Sequence, residues 1–313
     1  MQIVSTIIPI FLIISLGWFI RRRDFMPNLF LAPANKIVYY IAIPAMIFSA
    51  VAKASFHEEF NITILLITFS SLILTAISAW LITLSSKMTQ KSKGTFIQSA
   101  FHGNFGYIGL AVVFYYLGDS GFANASIFSG FIMILQNMMA VAILQPNFIN
   151  GNNGSVTVKR VDLLTANFKA IVRHPIIISA LCGMIFSLFE IALPMIVDRT
   201  LSILSGMALP LALLLIGATI SFKVIHYYLL EIIEISLLKL VLMPGIGVLF
   251  FNFFSIPASE YLPVLILLAS PTATMVYVMA QEMDGDTDFA VAALSACTIF
   301  SAITFTFWLN LLS

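Results

Sequence analysis

Ten apolar runs constrain this 313-residue chain more than any other feature. They lie roughly at 3–20, 35–52, 60–84, 95–117 and 122–144, and then at 171–189, 201–222, 227–251, 260–280 and 289–312. Runs of this length cross a bilayer, where every backbone amide must find its partner within the segment, so each is expected to be a helix. Composition agrees. Hydrophobic residues make up 60% and charged residues 9%, whereas a soluble domain is about a quarter charged. The net charge of +1 says little about partners. Cys182 and Cys297 both sit inside apolar runs and give neither a disulfide framework nor a metal spacing. Arg21, Arg22 and Arg23 follow the first run instead of preceding it, unlike the order in a cleaved signal peptide.

A polar stretch at 150–169, rich in Asn, Gly and charge, divides the runs five and five. The two sets match at a nearly fixed offset. Pro9 and Pro175 stand 166 residues apart, as do Pro44 and Pro210. Asn104 and Pro271 stand 167 apart, as do Phe122 and Phe289. We read this as an internal repeat of five spans, 1–148 and 171–313, joined by a cytoplasmic linker at 149–170. Five is odd, so the second repeat enters the membrane from the opposite side, an arrangement found in many secondary transporters. The fold expected is an all-α polytopic membrane protein with ten transmembrane helices in two inverted five-helix repeats. With the N-terminus outside, the inner loops carry twelve basic residues, Arg21, Arg22, Arg23, Lys36, Lys87, Lys91, Lys93, Lys159, Arg160, Lys169, Arg173 and Lys223. The outer loops carry only Lys53 and Arg199. The excess of basic residues on the inner side places both termini outside. The acidic loop of Asp284, Asp286 and Asp288 then falls inside, which the rule tolerates because acids weigh little in it.

Two spans are interrupted at corresponding positions. Span 4 contains Phe101-His102-Gly103-Asn104-Phe105-Gly106-Tyr107-Ile108-Gly109, with three glycines, an asparagine and a histidine at mid-membrane depth. Span 9 contains Ser270-Pro271-Thr272. Glycine weakens a helix and proline removes a donor, so both spans are expected to be broken. Broken segments survive at that depth only inside protein or beside a wet cavity, and matched breaks point to a binding site. Candidate substrate-binding residues are therefore Gly103, Asn104, Tyr107, Ser270, Pro271 and Thr272. Asn104 either binds the ligand through its amide or satisfies the backbone of its own break. Gln136 and Asn137, in the middle of span 5, line the same cavity or bridge helices.

Two groups carry possible charge. His102 could couple transport to protons, or stay neutral and hydrogen-bonded in the bundle. Lys239 is the one basic residue deep in a span. It lies about 20 Å from the inner end of span 8 at 1.5 Å per residue, beyond the reach of a snorkelling stem. It attracts an anion, or neutralises an acid or a helix end as a structural cation. Glu231 and Glu234 lie nearer the inner end and are expected at the interface. Pro44 and Pro210 sit mid-span and either shape a scaffold or merely kink their helices. No GxSxG, HExxH or dinucleotide fingerprint is present, so no enzyme and no cofactor is expected.

These segments resemble the auxin efflux carrier family. The resemblance rests on Gly103-Asn104-Phe105-Gly106-Tyr107-Ile108-Gly109-Leu110, on Pro271-Thr272-Ala273-Thr274, and on Val276-Tyr277-Val278-Met279-Ala280-Gln281. Leu209-Pro210-Leu211-Ala212 and the segment from Lys239 to Pro244 add to it. The resemblance implies a scaffold of spans 1, 2, 6 and 7, and a transport domain of spans 3–5 and 8–10. Spans 4 and 9 would cross at the substrate site, with elevator-like movement giving alternating access. The implied partners are a small organic anion such as malonate or an auxin-like acid, and the lipid bilayer of a bacterial cytoplasmic (inner) membrane. A homodimer is left open and no nucleic acid is expected. Where the family usually has proline after Gly-Leu in span 4, this chain has Ala111, so any unwinding must rest on the glycines. A sodium- or proton-coupled symporter of the bile-acid-symporter type, and a membrane receptor that binds without transporting, are the alternatives.

Overall fold

The computed structural model describes residues 2–55, 59–144 and 174–312. The linker expected at 149–170 lies outside the described residues. Among them there is helix and no strand, and seven helices are long and apolar enough to cross a membrane. In chain order the helices begin with α1 (Gln2–Arg22), then α2 (Asn28–Ile37), a π turn (Val38–Ala42) and α3 (Ile43–Lys53). Next come α4 (Ile62–Ser85), α5 (Gln90–Phe101), a second π turn (Phe105–Gly109) and α6 (Leu110–Leu144). After the linker follow α7 (Pro175–Leu188), α8 (Met195–Ser205) and α9 (Ala208–Thr219). The chain ends with α10 (Leu229–Leu237), a third π turn (Leu238–Leu242), α11 (Met243–Phe253), α12 (Ala258–Leu268), α13 (Met275–Glu282) and α14 (Thr287–Leu312).

Helix starts follow local chemistry. Asn61 Oδ1 accepts from the Thr63 amide, Thr89 Oγ1 from Ser92, and Asp286 Oδ1 from Phe289. Each satisfies an amide that the first helical turn leaves without an acceptor. Pro44 and Pro210 lie in the first turns of α3 and α9, after a π turn and after Gly206-Met207 respectively. The backbone stays right-handed helical through both junctions, so each proline lies inside one continuous span, Leu29–Lys53 or Met195–Thr219, beside a local irregularity of the helix. Spans 4 and 5 of the sequence are two helices within the α6 stretch, separated by a kink at Gly118, whose φ of 71° lies in the left-handed region that glycine reaches without strain.

Two packing relationships position the site. Helix α1 lies along α9, and α3 lies along α7. Both contacts join the first half of the chain to the second. The α1–α9 contact is close because a Cβ on Gly217 would stand 1.9 Å from the Ile14 carbonyl oxygen, and one on Gly17 would stand 2.1 Å from that of Leu214. At the α3–α7 crossing a Cβ on Gly183 would meet the Val51 side chain at 2.9 Å. Small residues let helix backbones approach where lipid supplies no hydrophobic drive for association. Around this pair of crossings pack α4 with α5 and α11, α6 with α12, and α14 with α5 and α10. The loop before α14 is tied to α5: Lys91 pairs with Asp284, Ser92 donates to Asp286 Oδ2 at 2.6 Å, and Thr95 Oγ1 accepts from the Asp286 amide.

Candidate functional site

The helical path is interrupted twice, between Phe101 and Phe105 and between Leu268 and Met275, and the two gaps bind each other. The Asn104 amide donates to the Pro271 carbonyl at 2.7 Å, and the Ala273 amide donates to the His102 carbonyl at 2.9 Å. Gly103 and Thr272 thus form an isolated antiparallel bridge. The fit requires glycine: a Cβ on Gly103 would meet the Phe105 ring at 2.4 Å and Ser270 Oγ at 2.8 Å. Unwinding occurs without a proline at Ala111, which is buried inside α6.

The chain treats the four helix ends at this crossing unequally. The two C-terminal ends are closed by protein donors. Lys239 Nζ donates to the Leu268 carbonyl of α12 at 2.9 Å, and its side chain is wholly buried. Gln136 Nε2 donates to the Phe101 carbonyl of α5 at 3.0 Å, and Thr272 Oγ1 to the Ser99 carbonyl at 2.9 Å. At the N-terminal ends, the Tyr107 amide is taken by Asn104 Oδ1 and those of Val276 and Tyr277 by the Ala273 and Thr274 carbonyls, which leaves the amides of Phe105, Gly106 and Met275 without an acceptor among the described residues. Both ends lie at one cavity.

That cavity has a volume of about 770 Å³. On one side it is lined by His102, Gly103, Asn104, Phe105, Tyr107, Gln136 and Asn137, with Ala273, Thr274 and Tyr277 from the second gap and α13. On the other it is lined by Asn35, Tyr39, His174 and Ile216 from α2, its π turn and the α7–α9 region. Asn104 caps its own restart, its Oδ1 accepting from the Tyr107 amide at 3.3 Å, while Nδ2 has no partner among the described residues. Tyr107 donates its hydroxyl to Asn35 Oδ1 at 2.6 Å, across the cavity's two sides. Asn137 Nδ2 bonds within its helix to the Met133 carbonyl at 2.9 Å. His102 Nδ1 lies 3.5 Å from Gln98 Nε2.

The structure therefore gathers six of the ten sequence candidates on the cavity wall: His102, Gly103, Asn104, Tyr107, Gln136 and Asn137. Ser270, Pro271 and Thr272 are buried behind it and support the Gly103–Asn104 segment. Lys239 lies off the cavity and caps a helix end. Sequence reasoning missed Asn35, Tyr39 and His174. The one available signal was a run of polar and aromatic residues at the start of span 2.

A second cavity of about 650 Å³ is lined by Lys53, Tyr115, Asp119, Ser202 and Pro210. It meets the opposite end of the α2–α3 helix and of the α8–α9 segment from the first cavity. Lys53 there pairs with Asp198.

Comparison with known proteins places these features in context. The family model described as "Membrane transport protein" matches residues 2–309. A protein of Rhizobium meliloti (strain 1021), provisionally named a malonate transporter, is 25% identical over 97% of this chain and 94% of its own length. An uncharacterized transporter of Methanothermobacter thermautotrophicus is 22% identical over 97% of this chain and 96% of its own. An uncharacterized transporter of Methanocaldococcus jannaschii is likewise 22% identical, over 97% of each chain.

Proposed function

This integral membrane protein belongs to the membrane transport protein family, the auxin efflux carrier family that its span motifs resemble, and from there we propose that it is a secondary carrier of a small organic anion bearing a carboxylate. One observation carries the reading. Two helix N-termini meet at a single cavity, while the neighbouring C-termini are closed off by Lys239, Gln136 and Thr272. The unbonded amides of Phe105, Gly106 and Met275 and the positive ends of two helix dipoles favour an anion. Closing the carbonyl ends removes the feature that would attract a cation instead. Asn104 Nδ2 adds a side-chain donor at the same place.

In this reading, spans 1, 2, 6 and 7 form the scaffold, and spans 3–5 with 8–10 form the moving domain, in two inverted repeats of five with both termini outside. The close α1–α9 and α3–α7 contacts support a rigid scaffold. The two cavities at opposite ends of the scaffold helices support alternating access. An elevator-like shift would carry the Asn104 segment from the first cavity towards the second.

The test is uptake of labelled acids into proteoliposomes: malonate, other dicarboxylates and an aromatic carboxylate, with and without a proton gradient. Saturable uptake of one acid is expected. Binding without flux would mark a receptor. No binding of any acid by folded protein would overturn the anion assignment.

A further inference from the structure

Two buried amides at the cavity have their orientations set by backbone partners. Asn104 is 5% exposed and its Oδ1 accepts from the Tyr107 N–H. Gln136 is 1% exposed and its Nε2 donates to the Phe101 carbonyl. Flipping the first would set an NH₂ against an N–H. Flipping the second would set two carbonyl oxygens against each other. Neither flip leaves a hydrogen bond. The groups left over are Asn104 Nδ2, which can only donate, and Gln136 Oε1, which can only accept. Both are buried without a partner among the described residues, and both residues line the same cavity. His174 Nδ1 is also unpartnered there. It can take either role by changing tautomer and so adds no preference.

A bare carboxylate is acceptor-only. It would satisfy Asn104 Nδ2 and the first-turn amides at Phe105, but would leave Gln136 Oε1 unpaired or facing another acceptor. An unmet buried acceptor costs more than an ordinary hydrogen bond contributes. We propose that the ligand carries a hydrogen-bond donor beside its carboxylate, as a 2-hydroxy acid does, with Asn104 reading the carboxylate and Gln136 reading the donor. This rests on the anion-carrier reading of the same cavity and narrows its substrate class.

Matched pairs differing by one hydroxyl test it: lactate with propionate, malate with succinate, and hydroxymalonate with malonate. Affinities would be measured calorimetrically on the full-length protein in nanodiscs. The hydroxylated member of at least one pair should bind about tenfold more tightly or better, because a site built to pair a hydroxyl rejects the analogue lacking it. Gln136→Met keeps the side-chain volume and removes the acceptor, so the ratio within that pair should fall to about one. Equal affinities within every pair for the wild-type protein would overturn the proposal and leave the carrier reading standing. A preference that survives Gln136→Met would also overturn it. No acid of either kind binding to folded protein would overturn the anion reading and this inference with it. The wild-type ratios decide the matter even if the variant does not fold.

Discussion

At the scale of single residues, Asn104 does two jobs with two ends of one amide. Its oxygen caps the helix that restarts at Phe105, and its nitrogen is buried without a partner among the described residues, in a residue that lines the cavity. Asn104→Asp keeps the capping oxygen but replaces the donor with an ionisable acceptor in a buried place, so it should lose binding of an anion and lower the thermal stability. Asn104→Ala should lose binding as well, and unfold more easily by about 1 kcal/mol from the lost cap. If Asn104→Ala binds normally, the crossing-site assignment is wrong. Lys239 poses the complementary question. It donates to the last carbonyl of α12 from a fully buried position. Lys239→Met should cost stability, on the order of 1–3 kcal/mol for the carbonyl left unpaired, and should change affinity little. A variant of normal stability that binds no ligand would instead make Lys239 an anion attractor.

At the scale of helices, glycine spacing decides where elements meet. Gly17 and Gly217 bring α1 and α9 to backbone contact. Gly217→Ala places a methyl 1.9 Å from the Ile14 carbonyl oxygen, a rigid backbone atom. The helices must separate, and we expect a loss of about 1–3 kcal/mol or more, read as a lower unfolding temperature in detergent. Gly118 is a useful contrast. It has a φ of 71°, but a Cβ there would meet nothing within 4 Å, so Gly118→Ala strains only the backbone, by about 1–2 kcal/mol. The two interruptions belong to this scale too. Neither gap closes its hydrogen bonds alone, and each completes the other through the Asn104–Pro271 and Ala273–His102 bonds. A bulky residue at Gly103 should therefore damage both segments together.

At the scale of the whole molecule, the Tyr107–Asn35 hydrogen bond joins the segment carrying Asn104 to α2, which lies on the proposed scaffold. Relative movement of the two bundles has to break it. Tyr107→Phe should shift the population away from the arrangement seen here by roughly 3–10-fold, the worth of one ordinary hydrogen bond. With Cys182 replaced by serine, a cysteine at Asn137 should then react faster with an impermeant thiol reagent added from the side of the second cavity. An unchanged rate would remove the bond from the conformational equilibrium. Much of this molecule was legible beforehand. Apolar run length dictated helices, because hydrocarbon offers no other partner for backbone amides. The gaps at 102–104 and 269–274 fall within the Gly- and Pro-bearing segments, because glycine and proline weaken a helix locally, whereas Phe105–Gly109 stays helical as a π turn. Those are properties of residues near each other in the chain, and the sequence determined them by itself. The close approach of α1 to α9, the burial of Ser270, Pro271 and Thr272 behind the cavity, and the capping of α12 by Lys239 were decided only by the tertiary structure. The same holds for the orientation of the Asn104 and Gln136 amides. Each depends on a partner far away in sequence or on which atom a neighbour leaves free, and no local pattern encodes that.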